Sequence, residues 1–361
     1  MSAPSGARRK SALAAWALAL GLVGCRVEAA QDPPRPSGAT RQQQPASENA
    51  PDPQELAAAR APSGRRALRW IEDFCALGPR VPGTEGAEKA RAAIVAAIRA
   101  AGGEPKLVPL RMATSRGEVE FVNLLAELPG KSSKRIVWGA HYDTPDVSED
   151  PYWQSEFPPS AVFVGANDGG SGVAVLLELL RALRERGVGE VGHSFLFLDG
   201  EERIGPPPFN PTLDDPKANA CFGARGQVAR WREAKRLPEA FVLLDMVGDR
   251  ELGLVRETSY SDARLLELFQ RAAASAGLAE TQLVGERGMM DDHVPFQAAG
   301  VPSIDLIDWS YGPPDARGRA GAYWHTPADT PDKLSAQSLE TSAKLCLAAV
   351  PELERFARGE R

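Results

Sequence analysis

Six side chains that can bind metal ions or carry protons lie at the ends of apolar segments or in the loops beside them. They are His141, Asp168, Glu201, Glu202, Asp245 and His325. Carboxylate oxygens and imidazole nitrogens are ligands that zinc accepts in proteins. A metal site, with zinc as its ion, is therefore the first prediction from the sequence.

Glu201 and Glu202 stand side by side after the apolar segment HSFLFL. Two adjacent carboxylates at the end of a buried strand repel each other unless a cation or a proton lies between them. One carboxylate on a metal ion and the other acting as a general base would remove this repulsion. The motifs HExxH and GxSxG, which mark other hydrolases, do not occur in the sequence. The pair therefore indicates proton transfer beside a metal.

Apolar segments and amphipathic stretches alternate along the chain and predict strands that alternate with helices. The predicted strands are 135–140, 193–198, 240–247 and 302–308, and the predicted helices are 85–101, 171–186, 262–277 and 335–357. This order predicts an α/β sheet with helices on both faces. Ligands of such sheets bind at the carboxyl ends of the strands, so we expect the six side chains to meet at one edge. The glycines around Asp168 would allow a tight turn there.

The length and the charge balance exclude several classes of protein. The chain has 361 residues, with 42 Lys and Arg against 48 Asp and Glu. This acidic balance argues against general binding of nucleic acid, which needs clustered positive charge. No apolar run reaches the ~18 residues that indicate a membrane-spanning helix, and this excludes a protein with several membrane spans.

The N-terminal residues predict export and a lipid anchor. Arg8-Arg9-Lys10 and the short apolar run 11–24 are typical of a signal peptide. The run ends in Leu22-Val23-Gly24-Cys25, which resembles a bacterial lipobox, in which the Cys is lipidated. We predict a lipoprotein signal peptide at 1–24 and a mature protein of the bacterial cell envelope, held on a membrane surface through Cys25. An ordinary signal peptide with a chance cysteine is the alternative.

Composition divides the rest of the chain into a disordered tether at 25–65 and a catalytic domain at 66–361. The tether is rich in Pro, Gln, Ala and Ser, and its few bulky apolar side chains cannot repay the entropy of ordering. Cys75, Cys221 and Cys346 follow it. None belongs to a CxxC pair, so no thiolate metal site is predicted, while export would permit one disulfide among them.

From about Leu77 to the C-terminal helix, the sequence resembles the zinc-dependent glutaminyl cyclases and their relatives, the bacterial zinc aminopeptidases. The matching segments are Gly78-Pro79-Arg80, Asn123, His141-Tyr142-Asp143, FVGANDGGSGVAVLLELLRAL, DGEE, LLDMVGD, DDHVPF, GVP and Trp324-His325-Thr326. The resemblance implies a three-layer α/β/α sandwich around a mixed, mostly parallel sheet, which is the zinc exopeptidase fold.

Resemblance to the cyclases implies one zinc ion. Its ligands would be Asp168, Glu202 and His325, and Glu201 would be the acid and base. Asp291 and Asp245 would share a proton in the hydrogen-bond network of Glu201, and Trp324 would form a wall of the substrate pocket. The implied reaction converts the N-terminal Gln of a peptide or protein to pyroglutamate and releases ammonia.

Resemblance to the aminopeptidases implies two zinc ions with a water nucleophile between them. The ligands would be His141, Asp168, Glu202, Asp245 and His325, all of which are present. His141 and Asp245 would then serve the second ion. The implied reaction is the hydrolysis of N-terminal residues from peptides.

Particular residues separate the two kinds of relative. Asp291 precedes the next Asp-His pair where the aminopeptidases usually have Ser, and Trp324 directly before His325 is typical of the cyclases. Against this, GANDGGSG is closer to the aminopeptidase form, and the loop RIGPPPFNPTLDD lacks the Trp of animal cyclases. We predict a monomeric glutaminyl-peptide cyclotransferase, with a two-zinc aminopeptidase as the alternative. A module that binds zinc or peptide without turnover is the third hypothesis.

Overall fold

The computed structural model describes residues 61–206, 208–278, 282–314 and 321–360. The signal peptide at 1–24, the lipid-anchored Cys25 and most of the tether lie outside the described residues and stay predictions. Among the residues described, no helix combines the length and the apolar character needed to cross a membrane.

The described strands form one mixed sheet. They are β1 (Lys106–Thr114), β2 (Gly117–Leu128), β3 (Arg135–His141), β4 (Gly192–Leu198), β5 (Ala240–Asp245), β6 (Val255–Glu257), β7 (Glu286–Arg287) and β8 (Ser303–Ile307). Their order across the sheet is β1-β2-β4-β3-β5-β8-β6-β7. The four central strands, β4, β3, β5 and β8, are parallel, while β2 and β6 run antiparallel to them at the two sides. The predicted fold class is confirmed.

Helices cover both faces of this sheet. They are α1 (Gly64–Cys75), α2 (Glu85–Ala100), α3 (Pro151–Glu156), α4 (Ser171–Arg186), α5 (Phe222–Glu233), α6 (Ala263–Ser275), α7 (His293–Ala298) and α8 (Ala336–Arg358). Helices α1, α2, α4, α6 and α8 share one apolar core with the sheet, and α5 and α7 share the other. The central strands are therefore buried on both sides, as their continuous apolar sequences require.

Strand β3 shows how these sequences position the layers. All seven of its residues are buried. Trp138 belongs to the core with α4, and the next residue toward the N-terminus, Val137, belongs to the core with α5. A Cβ at Gly139 would lie 2.5 Å from the ring of Phe241 on β5. Glycine at this position lets the neighbouring aromatic ring pack against the strand.

The first described helix begins close to the predicted domain boundary at 66. Helix α1 starts at Gly64, and the Ser63 side chain caps it by accepting a hydrogen bond from the Arg66 N–H. Ser63 N–H also donates to Glu178 on α4 at 2.8 Å, and Arg66 Nε donates to the same carboxylate at 2.6 Å. A buried carboxylate more than a hundred residues away in the sequence thus binds the start of α1. The tether at 25–65 and the catalytic domain at 66–361 stay predictions.

Arg80 is fully buried beneath the carboxyl end of β3 and ties together several loops. Its guanidinium donates to the carbonyl oxygens of Tyr142, at 2.6 Å, and Gly165, at 2.9 Å, and also to that of Val164. The cation lies 4.6 Å from the ring centre of Phe74 on α1. Arg80 thereby satisfies carbonyl groups that would otherwise be buried without donors.

We expect Arg80→Met to lower the free energy of unfolding by about 3 kcal/mol or more, because each buried acceptor left without a donor costs ~1–3 kcal/mol. Urea unfolding measures this change. Arg99→Met, at an exposed site near the end of α2, is the control and should change stability by less than about 0.5 kcal/mol. Equal effects of the two variants would contradict the role assigned to Arg80.

Candidate metal centre and cleft

The carboxyl ends of the central strands meet at one edge of the sheet. His141 at the end of β3 pairs with Leu198 at the end of β4, and Asp245 at the end of β5 pairs with Ile307 at the end of β8. Within each pair, the two strands therefore end side by side. Glu201 and Glu202 follow the end of β4 at Leu198 after two residues. The strands thus place the side chains predicted from strand ends in one region.

Asp168, Glu202 and His325 form a group with the geometry of a metal site. His325 Nε2 lies 3.2 Å from Glu202 Oε1 and 3.3 Å from Asp168 Oδ2. One ligand atom from each residue lies within 4.8 Å of the others. Asp168 Oδ2 is buried and has no hydrogen-bond partner among the described residues. Together, two carboxylates and one imidazole, with one carboxylate oxygen that lacks a partner, are a set of ligands that fits a zinc ion.

The electrostatics of this group favour a cation. Burial lowers the pKa of His325, but the charges of Glu202 and Asp168 outweigh burial and raise the pKa to about 10. Burial acts to raise the pKa of Asp168, yet its contacts with His141 and His325 hold that pKa well below its usual value. The negative field that retains protons on the imidazoles would equally retain a divalent ion.

The loop before α4 holds Asp168 in place. Its backbone N–H donates to Asp329 Oδ2 at 3.1 Å, and the N–H of Asn167 donates to Asp329 Oδ1 at 2.8 Å. Tyr311 OH donates to the same carboxylate at 2.6 Å. Gly169 has a φ of 81°, and a Cβ there would lie 2.6 Å from the Asp143 carbonyl oxygen. Glycine thus permits the tight turn at Asp168, as the sequence predicts.

Because Asp329 fixes two successive N–H groups at Asp168, we expect Asp329→Ala to weaken zinc binding by about 10–100-fold, as for other groups that orient a metal ligand. Competition with a chelator measures the affinity. Asp332→Ala is the matched control, since Asp332 is an exposed carboxylate three residues away. If both variants bind zinc as the wild type does, Asp329 does not position the ligand.

Asp143 aligns the two adjacent glutamates. The backbone N–H groups of Glu201 and Glu202 donate to its two carboxylate oxygens, each at 3.1 Å. The preceding residue, Gly200, has a φ of 74°, a conformation that glycine adopts readily. The chain therefore turns sharply after β4, and Glu202 joins the metal group while Glu201 joins Asp291 and Cys221.

Glu201 lies in surroundings that favour its protonated form. Burial raises its pKa well above the usual value, and the charges of Asp291 and Glu202 raise the pKa further. This is the repulsion between adjacent carboxylates that the sequence predicts. A carboxyl group with a raised pKa beside a metal site is suited to accept and return a proton near neutral pH.

His141 belongs to a second group that shares Asp168. Its Nε2 atom lies 3.1 Å from Asp168 Oδ1 and 3.3 Å from Asp245 Oδ1. Burial lowers the pKa of His141, but contacts with Asp143, Asp168 and Asp245 outweigh burial and raise the pKa well above the usual value. The geometry thus offers the ligands of a second metal ion as well as those of the first.

Asp291 lies within a cluster of buried carboxyl groups. Burial raises its pKa well above the usual value, and the charges of Asp305 and Asp245 add to this. Asp305 lies on β8, is fully buried, and has no hydrogen-bond partner for either carboxyl oxygen among the residues described. Buried carboxyl groups that interact strongly titrate as one group, and their protons are shared among them.

A cleft of about 830 Å³ opens onto this centre. Its polar lining includes the three candidate ligands of the first ion and the carboxyl groups of Glu201, Asp245 and Asp291. Its apolar lining includes Ile307, Trp309, Met289 and Trp324. The Trp324 ring lies 5.0 Å from that of Trp309 and stacks 4.1 Å from the His325 imidazole, centre to centre. The cleft therefore joins a charged floor to an apolar wall.

Sequence reasoning named Asp143 at a strand end without giving it a role, and it missed Asp329, Asp305 and Cys221 as members of this region. Asp143 and Asp329 act through backbone N–H groups of other loops, and no local pattern reveals such contacts. Asp305 carried a signal, because it is a lone acid inside the apolar segment PSIDLID. Buried carboxyl groups in strands are rare unless a partner or a function keeps them there.

The sheet has helices on both faces, and acids and histidines converge at the carboxyl ends of its strands. This is the architecture of an α/β/α protein with a candidate metal site at the strand ends. The chain belongs to Peptidase family M28, whose family model matches residues 123–350. This match includes all of the candidate ligands named above.

Relatives of this chain include named glutaminyl cyclases. Glutaminyl-peptide cyclotransferase of Drosophila melanogaster is 27% identical over 286 residues, which cover 70% of this chain and 71% of that protein. The crystal structure of an Acidobacteriales bacterium glutaminyl cyclase is 30% identical, with a TM-score of 0.72 over 87% of this chain and 99% of that one. A Zn-dependent exopeptidase from Parabacteroides distasonis is 26% identical, with a TM-score of 0.66 over 80% and 97%. The resemblance indicated by the sequence motifs is confirmed.

Proposed function

We propose that this protein is a zinc-dependent glutaminyl-peptide cyclotransferase, which converts the N-terminal Gln of peptides or proteins to pyroglutamate and releases ammonia. One observation carries the proposal. A metal-type group, the carboxyl pair of Glu201 and Asp291, and the apolar wall at Trp324 all line one cleft. The similarity to named glutaminyl cyclases supports the same reaction.

Asp168, Glu202 and His325 would hold the zinc ion. When bound there, zinc supplies a Lewis acid that polarises an amide carbonyl group. The ligands come from the loop before α4, the end of β4 and the loop after β8. Because separate elements provide them, the fold has to be complete before the site exists.

Glu201 is the proposed acid and base. It accepts a proton from the substrate α-amine as that nitrogen forms a bond to the side-chain amide carbon. The bond from this carbon to the side-chain nitrogen then breaks, and Glu201 returns the proton to the departing ammonia. The raised pKa of Glu201 suits a group that has to carry a proton between these two steps.

Asp291 and Asp245 are proposed to hold the nitrogen that leaves. Both are buried with raised pKa values, first because of desolvation and then because nearby carboxyl groups repel their charges. A carboxyl group that keeps its proton can share it with a neighbouring carboxylate and accept hydrogen bonds from an ammonia-like group. The pair would thus support proton movement without adding net negative charge.

The apolar wall orients the substrate. Trp324 and Trp309 would contact the methylene groups of the Gln side chain and keep water from the reacting carbonyl. The reaction is intramolecular, so correct orientation provides much of its acceleration. Exclusion of water also suppresses hydrolysis of the side-chain amide.

The two-zinc aminopeptidase is supported by a different observation, the approach of His141 to Asp168 and Asp245. The named relatives favour the cyclase. We further propose, from the sequence alone, that the protein is an exported monomer held on a membrane surface by a lipid at Cys25. It binds peptide substrates and no nucleic acid.

A Gln-initiated peptide tests the proposed function. The purified protein should release ammonia and reduce the peptide mass by one ammonia, while the same peptide with an acetylated α-amine should stay unchanged because it lacks the nucleophile. Cleavage of a Leu-initiated chromogenic amide, without cyclisation, would instead establish the aminopeptidase. If the zinc-loaded protein turns over neither substrate, the proposed function is wrong and the third hypothesis, a module that binds zinc or peptide without turnover, is favoured.

A further inference from the structure

A second group of ligand-type atoms lies beside the proposed base. Glu201, Cys221 and Asp291 each place one such atom within 4.8 Å of the others. Cys221 Sγ lies 4.0 Å from Glu201 Oε1. This distance is shorter than a Zn–S bond of ~2.3 Å and a Zn–O bond of ~2.1 Å placed end to end. One ion could therefore contact both atoms.

The backbone holds the thiol in this place. Cys221 precedes α5 with a φ of 51°, a left-handed conformation that residues with a Cβ rarely adopt. Its N–H donates to the Glu201 carbonyl oxygen at 2.9 Å. The side chain is fully buried and takes no part in a disulfide. The thiol is thus fixed against the loop that carries the two glutamates.

Asp292 provides an independent observation at the same place. It is fully buried, and neither of its carboxyl oxygens has a hydrogen-bond partner among the described residues. Its carboxyl group and the Cys221 thiol interact, which raises the pKa of Cys221 and acts to lower that of Asp292 against the larger effect of burial. Buried carboxyl oxygens without partners are costly, and a bound cation is one way in which proteins satisfy them. The unpartnered oxygens therefore point to a ligand in this group.

We infer that Glu201, Cys221 and Asp291, with Asp292 beside them, form a second metal site, which takes a thiophilic divalent cation and inhibits the enzyme. Thiolate sulfur selects Zn²⁺ or Cd²⁺ over Mg²⁺ and Ca²⁺, which prefer oxygen alone. Binding forms bonds from the metal to the sulfur and to the carboxylate oxygens, and it releases to solvent the thiol proton together with any proton held by the two carboxyl groups. The sequence analysis predicted no thiolate metal site, because these ligands come from three separate loops and form no local motif.

Occupation of this site would stop proton transfer. The group shares no residue with Asp168, Glu202 and His325, so both ions can bind at once. A cation on Glu201 removes the lone pair that accepts the substrate proton, and loss of a general base lowers turnover on the order of 10²–10⁴-fold. The first zinc ion would activate the protein and a second would inhibit it. The inhibition rests on the proposed function, but the binding of metal does not.

Cadmium titration of the zinc-loaded full chain tests the site. Binding at Cys221 should produce the ultraviolet charge-transfer band of a cadmium–thiolate bond, and cyclisation of the Gln-initiated peptide should fall at least about tenfold. Cys221→Ser and Cys221→Ala should lose both effects, with inhibition measured for each variant relative to its own activity before cadmium is added. Cys346→Ser, which removes another buried free thiol, is the control and should behave as the wild type does.

The outcomes separate the site from the proposed reaction. A band that is absent from the wild type, or that survives in both Cys221 variants, overturns the inference. Inhibition of equal strength in wild type and Cys221→Ser does the same. A band that depends on Cys221 in a protein without cyclase activity supports the metal site and contradicts the proposed function. Circular dichroism of the variants confirms that loss of the band is not loss of the fold.

Discussion

Glu201→Gln is expected to lower turnover of a Gln-initiated peptide by about 10²–10⁴-fold, while the zinc content stays that of the wild type. The amide cannot accept the proton of the substrate amine, so the step that forms the ring loses its base. Glu201 is absent from the group formed by Asp168, Glu202 and His325, so its replacement leaves those ligands intact. Steady-state kinetics and metal analysis of the same preparation measure the two quantities.

Glu202→Gln is the matched comparison, because it makes the same change one residue along the chain. This variant should lose both zinc and turnover, since Glu202 Oε1 lies 3.2 Å from the His325 Nε2 atom that shares its ion. The opposite pattern, in which Glu201→Gln loses zinc and Glu202→Gln retains it, would show that the two glutamates have exchanged roles. Full activity of Glu201→Gln would remove Glu201 from the mechanism.

The central part of the fold was predictable because its strands are buried on both faces. Strands β3, β4 and β5 are continuous apolar runs in which every residue is buried. Such runs stand out in a sequence without any knowledge of their partners. The helices that cover them, α4 and α8 among others, carry apolar stripes at helical spacing and were predicted to within a few residues.

Strands β1 and β2 could not be predicted in the same way. They pair at the edge of the sheet, and most residues of β1 are exposed or half-buried. The sequence of β1 therefore mixes polar and apolar residues irregularly and resembles a loop, whereas in β2 only residues 121–126 form a continuous buried run. The start of α1 escaped prediction for a related reason. Glu178, which orders Ser63 and Arg66, lies far away in the sequence.

The candidate ligands were predictable from residue type and position, but the groups that orient them were not. Strand ends and the glycine-rich loop indicate Asp168, Glu202 and Asp245 because ligands collect at the carboxyl ends of strands. Asp329 binds the Asp168 loop across 161 residues of sequence. Only the folded chain brings these residues together, and the sequence alone therefore could not decide between one metal ion and two.

Replacement of single histidines decides the number of metal ions. His325→Ala should weaken zinc binding by more than about 100-fold, beyond the ~10–100-fold loss caused by removing a group that only orients a ligand. His141→Gln should retain the zinc of the wild type. Under the one-zinc proposal, His141 Nε2 only contacts Asp168 and Asp245, at 3.1 and 3.3 Å, and the Gln amide nitrogen, which matches the Nε2 position, also donates to a carboxylate. Metal analysis after dialysis measures zinc per chain. Two zinc ions in the wild type, of which His141→Gln keeps one, would contradict the single-metal proposal and favour the two-zinc aminopeptidase.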